Sequence, residues 1–299
     1  MTALPPFSLH PAPFRGPSAG TPRALRGGLR RELRELLRLY AQQFKTTFAG
    51  MVQYRASLFI WMIAQVLEPL VYLIVWSTVS NGSGGSVGGY TARGFAAYYL
   101  ALMLVNQVTY TWIMWEYEYR VRQGFLSFAL LKPVHPIHSD ISDNLSSKLI
   151  TLPILLFVAG SLALIFRPTA ALTLWAALAF IPALILAFLV RFLLEWTLAL
   201  AAFWTTRVNA INQVYFILML FLAGQIAPLT LFPRWLQIVA DILPFRWMLG
   251  FPVELVLGRL TPVQALEGLA AQAAWVIVSL VLIRVIWRAG LRVYSAVGA

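Results

Sequence analysis

The sequence predicts an all-α, polytopic membrane protein with six transmembrane helices, and two observations support that fold class. Hydrophobic residues make up 60% of the 299 residues and charged residues only 11%, whereas about a quarter of the residues in a soluble domain are charged. Apolar stretches of about 20 residues, long enough to cross a hydrocarbon core of roughly 30 Å, recur along the chain. A single N-terminal signal peptide does not produce such a repeated pattern.

The residues before the first apolar stretch fall into two parts. Residues 1–28 are rich in proline and arginine and contain no apolar run, so we expect a disordered cytoplasmic tail. Residues 29–52 place apolar and basic side chains on opposite helical faces, which predicts an amphipathic connector helix in the membrane interface. The apolar face comprises Leu29, Leu33, Leu36, Leu37, Tyr40 and Phe44. An interfacial anchor and a coupling role both fit this helix.

Six apolar stretches follow, within a predicted transmembrane domain of residues 53–299. The predicted spans cover residues 56–79, 95–117, 149–166, 170–205, 209–227 and 269–287. The fourth stretch is longer than one span, so we expect a single tilted helix bent at Pro182, with two separate helices as the alternative.

A proline-rich segment separates the fifth and sixth spans. Residues 228–258 are interrupted by Pro228, Pro233, Pro244 and Pro252 and carry several charges, so they cannot cross the membrane as a regular helix. Because irregular backbone at membrane depth must be shielded by protein, we predict a re-entrant pair of short helices entering from the external face. An ordinary external loop is the alternative.

The distribution of basic residues gives the orientation. The net charge is +12, but the charge is concentrated next to the spans, as the positive-inside rule describes, and nucleic-acid binding is not expected. Nine of the 23 lysines and arginines precede the first span: Arg15, Arg23, Arg26, Arg30, Arg31, Arg34, Arg38, Lys45 and Arg55. Both termini are therefore predicted to be cytoplasmic in a multi-pass protein of the inner membrane.

Several kinds of chemistry are missing from the sequence. The chain has no cysteine, which excludes disulfides and thiolate metal sites on it. Lys45, Lys132 and Lys148 are its only lysines, and none closes a phosphate-binding loop of the Walker type. His135 and His138 lack an evident third ligand for catalytic zinc, so no metal site is predicted. We expect no enzymatic activity on this chain.

Polar and ionisable residues within the spans are the candidates for functional positions, because they are costly in a bilayer. Arg191 and Glu195 are spaced i, i+4 and are predicted to form a structural ion pair. Glu68, beside Pro69, has no such local partner and either faces a translocation path or pairs with a neighbouring helix. The further candidates for the path are Asn106, Gln107, Tyr110, Asn209, Asn212 and Gln213, for which interhelical hydrogen bonding is the alternative.

A short apolar segment, residues 124–132, lies on the predicted cytoplasmic side between Gly124 and Pro133. It is too short to span the membrane. An exposed apolar patch of this kind is typical of a protein-binding surface, and a helix lying flat on the membrane is the alternative.

Short motifs in a characteristic order carry a resemblance to a known family. They are Arg122-Gln123-Gly124-Phe125-Leu126-Ser127 leading to Leu131-Lys132-Pro133, Phe203-Trp204-Thr205, Pro228-Leu229 to Phe232-Pro233, Leu243-Pro244-Phe245-Arg246 and Trp287-Arg288-Ala289-Gly290-Leu291. With them, nearly the whole chain resembles the permease subunits of type-two ABC exporters, in a bacterial subfamily with a separate ATPase subunit. Such permeases have an amphipathic connector helix, six spans, a coupling helix after the second span and a re-entrant pair before the last.

The resemblance implies a function and partners. It assigns ATPase coupling to Gly124, Phe125, Leu126, Phe128, Leu130 and Leu131. It implies two copies of an ABC ATP-binding subunit, a second permease chain that is the same or related, and membrane lipid. No cofactor is expected on this chain, since ATP and magnesium would be bound by the partner ATPase.

The expected function is ATP-driven export of a compound across the cytoplasmic membrane. The aromatic residues of the second span suit a hydrophobic or cationic compound, although an interfacial aromatic belt explains them better; they are Tyr98, Tyr99, Tyr110, Trp112 and Trp115. The alternative is an ion-gradient-driven secondary transporter, although no inverted repeat between the two halves supports it. An intramembrane enzyme or assembly factor is a third class, disfavoured by the lack of catalytic polar clusters.

Overall fold

A computed structural model describes residues 22–294 except 54, 133, 206 and 207, and this part of the chain is predominantly helical. The helices are α1 (Pro22–Gln53), α2 (Arg55–Gly82), α3 (Ala92–Thr109), α4 (Ile113–Arg122), α5 (Phe125–Leu130), α6 (Pro136–Phe166), α7 (Leu174–Ala199), α8 (Val208–Leu222), α9 (Arg234–Ile242), α10 (Phe245–Met248), α11 (Gly250–Val256) and α12 (Pro262–Val293). A two-stranded hairpin, β1 (Ser86–Val87) with β2 (Tyr90–Thr91), joins α2 to α3. The all-α prediction is confirmed.

The first helix is longer than the sequence predicted. Residues 1–21 of the predicted tail lie outside the described residues, but the predicted disorder of residues 22–28 is wrong, because α1 begins at Pro22. Proline is favoured in the first turn of a helix, and alanine, leucine and arginine have high helix propensity. Towards its C-terminal end, α1 packs on α6, where the Thr47 hydroxyl donates to Asp143 Oδ1 at 2.6 Å.

Four helices in the described part of the chain are long and apolar enough to cross a membrane. They cover Ile60–Gly82, Pro136–Phe166, Leu174–Phe203 and Pro262–Val293. These correspond to the first, third, fourth and sixth predicted spans, and α8 is a shorter apolar helix at the fifth. The fourth stretch forms one helix with Pro182 inside it, so the alternative of two separate helices is wrong.

The third predicted span, residues 149–166, starts later than the helix that contains it. Helix α6 begins at Pro136, so the polar residues that the sequence analysis placed in a cytoplasmic loop form its first turns. His135 caps the helix: its Nδ1 accepts a hydrogen bond from the Ile137 amide at 3.3 Å. Burial lowers the pKa of His135, which favours the neutral imidazole that can accept this bond.

The second predicted span, residues 95–117, is not a continuous helix. Helix α3 ends at Thr109, and α4 starts at Ile113 after three non-helical residues. The sequence from Thr109 to Ile113 consists of β-branched and aromatic residues, which lose side-chain freedom in a helix. The sequence analysis missed this break because neither proline nor glycine marks it.

The segment before the last helix, residues 228–258, forms a 3-10 turn at Leu229–Leu231 and three short α-helices, α9, α10 and α11, where a pair was predicted. The third of them, α11, is buried by the rest of the protein over Gly250–Leu255, and its position relative to the membrane stays a prediction. Its Phe251 is buried and packs so closely on α12 that a methyl group added at Gly268 would lie 2.0 Å from the Phe251 ring.

The main hydrophobic core lies where α3 meets the chain that follows α8. Tyr98 and Tyr99 are buried there and donate to the carbonyl oxygens of Gly224 at 2.7 Å and Ile226 at 2.6 Å. These bonds satisfy carbonyl groups left free beyond the end of α8 at Leu222. Assigning Tyr98 and Tyr99 to an interfacial belt is therefore wrong, because both are core residues.

Candidate functional site

The break between α3 and α4 lies beside a buried ion pair on α7. Arg191 Nε and Glu195 Oε1 are 2.9 Å apart, and the two side chains are only 2% and 1% exposed. Arg191 Nη1 also donates to Asn106 Oδ1 at 2.7 Å and to Thr109 Oγ1 at 3.1 Å, both on the last turn of α3. Within the break, the Thr111 hydroxyl donates to Glu195 Oε2. The ion pair therefore fixes both the end of α3 and the break itself.

Two further side chains complete this network. Tyr215 on α8 donates from its hydroxyl to Glu195 Oε1 at 2.9 Å. Lys148 on α6 donates from Nζ to the backbone oxygen of Tyr110 at 2.7 Å. That carbonyl belongs to the residue capping α3, where no helical partner follows, and a buried backbone group left without a hydrogen bond costs about 1–3 kcal/mol.

The network thus supplies a hydrogen-bond partner for one backbone carbonyl at the break, that of Tyr110. It also connects the break to α6, α7 and α8, so α4 cannot change its angle to α3 without disturbing buried charges. Breaking a buried ion pair by removing one partner typically costs about 3–5 kcal/mol. We name this set, comprising Asn106, Thr109, Thr111, Lys148, Arg191, Glu195 and Tyr215, the break network.

A second polar cluster fixes the other end of α4. Arg120 Nη1 lies 2.5 Å from Oδ1 of the buried Asp140 on α6, and Arg120 Nη2 lies 2.6 Å from Glu116 Oε1. Burial opposes the charge on Arg120, but the two carboxylates outweigh burial and raise its pKa. The other oxygen of Asp140 accepts from Trp196 Nε1 on α7 at 2.9 Å. Helix α4 is therefore held at both ends by side chains of α6 and α7.

Helix α4 leads directly into the short helix α5. Gly124 separates them with φ 73°, a left-handed conformation that glycine adopts without steric cost. Leu126 is buried and anchors α5 to the core, whereas Phe125, Phe128 and Leu131 are 48%, 67% and 83% exposed. Leu130 is partly buried against the same core. The predicted coupling segment therefore exposes an apolar face on a well-packed base.

The C-terminal end of α12 packs against α5. The Ser127 and Tyr294 hydroxyl groups are 2.8 Å apart and share a hydrogen bond. Trp287 contacts Trp196 of α7, with ring centroids 5.3 Å apart. Trp196 also donates to Asp140, which pairs with Arg120 of α4. The residues that pack beneath α5 and the Arg120–Asp140 pair therefore belong to one packed unit.

The residues predicted to line a translocation path do not converge on one site. Glu68 and Asn106 line a small cavity of about 20 Å³ between α2 and α3. Gln107 is buried and donates to Thr151 Oγ1 at 2.6 Å. Together with Tyr110, it lines a different cavity of about 510 Å³.

The three path candidates on α8 differ in their exposure. Asn212 is buried and its Nδ2 donates to the backbone oxygen of Met114 at 3.4 Å, whereas Asn209 and Gln213 are exposed. Of the seven predicted path residues, Glu68, Asn209 and Gln213 are thus the ones left exposed by this chain. Their roles remain predictions.

Sequence reasoning missed four members of the break network: Thr109, Thr111, Lys148 and Tyr215. Lys148 was assigned to a cytoplasmic loop because it precedes the most apolar part of its helix. The threonines and the tyrosine are common in spans and gave no signal. The sequence did give one indication: the second span contains several polar residues, and polar residues within spans usually hydrogen-bond to neighbouring helices.

Comparison with known proteins supplies the family. Residues 66–298 match the model of a protein family described as "ABC-2 family transporter protein". A search of curated proteins finds no match. The matched region begins within α2 and includes the broken second span, α5 and the three short helices before α12. The chain therefore belongs to the ABC-2 transporter family, as a multi-pass membrane permease that partners an ABC ATP-binding subunit.

Proposed function

We propose that this permease works in an ATP-driven exporter of the cytoplasmic membrane. Two copies of a separate ABC ATP-binding subunit, which carry ATP and magnesium, pair with this chain and a second permease that is the same or related. The transported compound is hydrophobic or cationic and moves outward. No catalytic step is assigned to this chain.

The observation that carries the proposal is the exposed apolar face of α5, formed by Phe125, Phe128 and Leu131. Large exposed apolar side chains on a rigid base are typical of a protein-binding surface. Gly124 connects α5 to the C-terminal end of α4. The N-terminal end of α4, at Ile113, adjoins the break network. Movement of a subunit bound at α5 would therefore reach the break in the second span through one helix of ten residues.

Exposed polar residues support a second permease. Glu68 on α2 and Asn209 and Gln213 on α8 lie on outward faces of apolar helices. A carboxyl group facing lipid is costly, and polar residues within spans usually face protein or a water-filled path. A second permease against α2 and α8 would cover these residues and enclose a path between the two chains.

Single-cysteine labelling tests the proposed orientation, and the chain suits it because it contains no native cysteine. Ser86→Cys, in the hairpin between α2 and α3, should react with a membrane-impermeant maleimide in intact cells. Phe128→Cys should react only after the membrane is permeabilised, because the proposed orientation puts α5 on the cytoplasmic side. Labelling of Phe128→Cys in intact cells would contradict the orientation and with it the coupling role of α5.

A vesicle assay tests the direction of transport and its energy source. In inside-out vesicles that contain the whole transporter, an exporter should accumulate ethidium, a hydrophobic cation, when ATP is added. Accumulation should persist when an uncoupler dissipates the proton gradient. Uptake that stops with the uncoupler and does not need ATP would favour a secondary transporter.

A further inference from the structure

A cavity beside the break in the second span has no role in the proposed coupling mechanism. Its volume is about 510 Å³, within the usual range for small-molecule sites of about 300–1,000 Å³. It lies between α1, α2, α6 and the break in the second span. Its walls include Gly50, Trp61, Tyr110, Trp112, Asp143 and Lys148.

Among the charged residues that line the cavity, Lys148 and Asp143 have no ion-pair partner in the described part of the chain. Lys148 is only 9% exposed and forms no ion pair with the described residues. Its ammonium group donates to Tyr110 O and to Asn144 Oδ1 at 3.3 Å and lies 5.1 Å from the centre of the Phe188 ring, so one of its three N–H groups has no hydrogen-bond acceptor among the described residues. A buried cation in this state favours an anionic ligand.

Asp143 provides the opposite charge. Its Oδ1 accepts from Thr47 at 2.6 Å and from Gln43 at 3.4 Å, while Oδ2 accepts no hydrogen bond from the described residues. No described cation pairs with it. Glu116 also lines the cavity; its Oε1 atom accepts from Arg120, which it shares with Asp140. The cavity as a whole therefore suits a zwitterion.

The other walls indicate what kind of molecule carries those charges. Trp61 and Tyr110 rings lie 5.8 Å apart and Tyr110 and Trp112 rings 6.4 Å apart, centroid to centroid. Such aromatic walls attract an ammonium group. The carboxylate oxygens of Asp143 and Glu116 require N–H donors, which a primary ammonium has and a quaternary one lacks.

The surroundings favour a lipid over a soluble zwitterion. Three apolar residues adjoin lining residues in the sequence, on three different helices, and are exposed: Phe48 (49%), Ile60 (70%) and Leu149 (65%). Exposed apolar side chains on membrane helices contact acyl chains. Helix α1, which closes one side, is the predicted interfacial helix, so the cavity lies at the level of lipid head groups.

We propose that this cavity binds the head group of a phospholipid with a primary ammonium, that is, phosphatidylethanolamine from the cytoplasmic leaflet. The ammonium lies against Asp143 and the aromatic rings, and a phosphate oxygen accepts the remaining N–H of Lys148. The choice of leaflet rests on the proposed orientation, but the binding itself does not.

A steric plug tests the proposal, because a Cβ atom added at Gly50 meets no atom within 4 Å and the residue faces the cavity. Gly50→Phe should fill the cavity without removing a charge. Gly160→Phe is the matched control, since this second helical glycine also has no atom within 4 Å and lies outside the cavity. Full-length transporter is purified in mild detergent from native membrane, and the phospholipid retained by each variant is measured by native mass spectrometry.

The wild type and Gly160→Phe should retain phosphatidylethanolamine in preference to phosphatidylglycerol, and Gly50→Phe should retain at least tenfold less. Gly50→Leu, a smaller plug, replaces Gly50→Phe if the latter does not fold. Equal retention in all variants, or preference for phosphatidylglycerol, would overturn the proposal. Displacement of the lipid by soluble phosphoethanolamine at equal concentration would show that the site takes a free zwitterion and would also overturn it. Recovery of the ATP-binding subunit in the same preparations reports separately on the proposed function.

Discussion

Replacing Glu195 by glutamine is expected to destabilise the permease by about 3–5 kcal/mol, the usual cost of breaking a buried ion pair. The change keeps the size of the side chain but leaves the Arg191 guanidinium, 2% exposed, without its counter-charge. Thr111 and Tyr215 lose a charged acceptor at the same time. Thermal unfolding of the detergent-purified protein, followed by tryptophan fluorescence, measures the loss.

Two variants show whether the effect comes from the unpaired charge. Glu267→Gln, at an exposed position on α12, changes the same chemistry at the surface and should shift stability by less than about 0.5 kcal/mol. The double variant Arg191→Met/Glu195→Gln removes both charges and should recover most of the loss. If Glu195→Gln unfolded at the same temperature as Glu267→Gln, the ion pair would not stabilise the break.

Replacing Phe128 by aspartate is expected to reduce both recovery of the ATP-binding subunit and ATP hydrolysis by the purified complex at least tenfold. Phe128 is 67% exposed on α5, and burying a new charge in an apolar interface removes far more than the 1.4 kcal/mol that a tenfold loss requires. Co-purification with the tagged permease and ATP hydrolysis by the complex provide the two measurements.

Phe128→Tyr is the matched control, because it keeps the aromatic ring and adds a hydroxyl that water can solvate; it should behave like the wild type. Leu130→Asp is a poorer test, since Leu130 is partly buried in the core beneath α5 and the change would also disturb folding. Retention of both the subunit and its ATPase activity by Phe128→Asp would remove α5 from the coupling mechanism.

The long helices were predictable because their apolar length alone specifies them. Residues 262–293 and 174–203 are apolar over more than 20 residues, and no other structure satisfies so much backbone in a bilayer. The helical nature of residues 29–52 was also readable from amphipathic spacing. Its extension to Pro22 was not, because proline-rich composition suggested disorder while local helix propensity favoured the helix.

The break in the second span could not be read from the sequence. Residues 109–113 contain no glycine or proline, and their weak helix propensity is ordinary for a membrane helix. What makes the break possible is Lys148 and Thr111 meeting Tyr110 O and Glu195 in three dimensions. Such contacts join residues 38 and 84 positions apart, and one sequence contains no information on that pairing.

The candidate site was predicted in part. The i, i+4 spacing of Arg191 and Glu195 placed them on one helix face, and the structure holds them 2.9 Å apart. Composition could not distinguish which residues of 124–131 face outward, since all but Gly124 and Ser127 are apolar. Packing separates them: Leu126 faces the core and Phe128 faces out.

The most direct test of the central claim is to pull down the tagged permease from its native membrane in mild detergent, identify the chains that co-purify and assay ATP hydrolysis. An ATP-binding subunit recovered in about equal amount to the permease chains, with ATPase activity, is the predicted result, and the recovered chains would also show whether the second permease is the same or related. Repeated recovery of this chain alone, without ATPase activity, would contradict the proposed ATP-driven exporter.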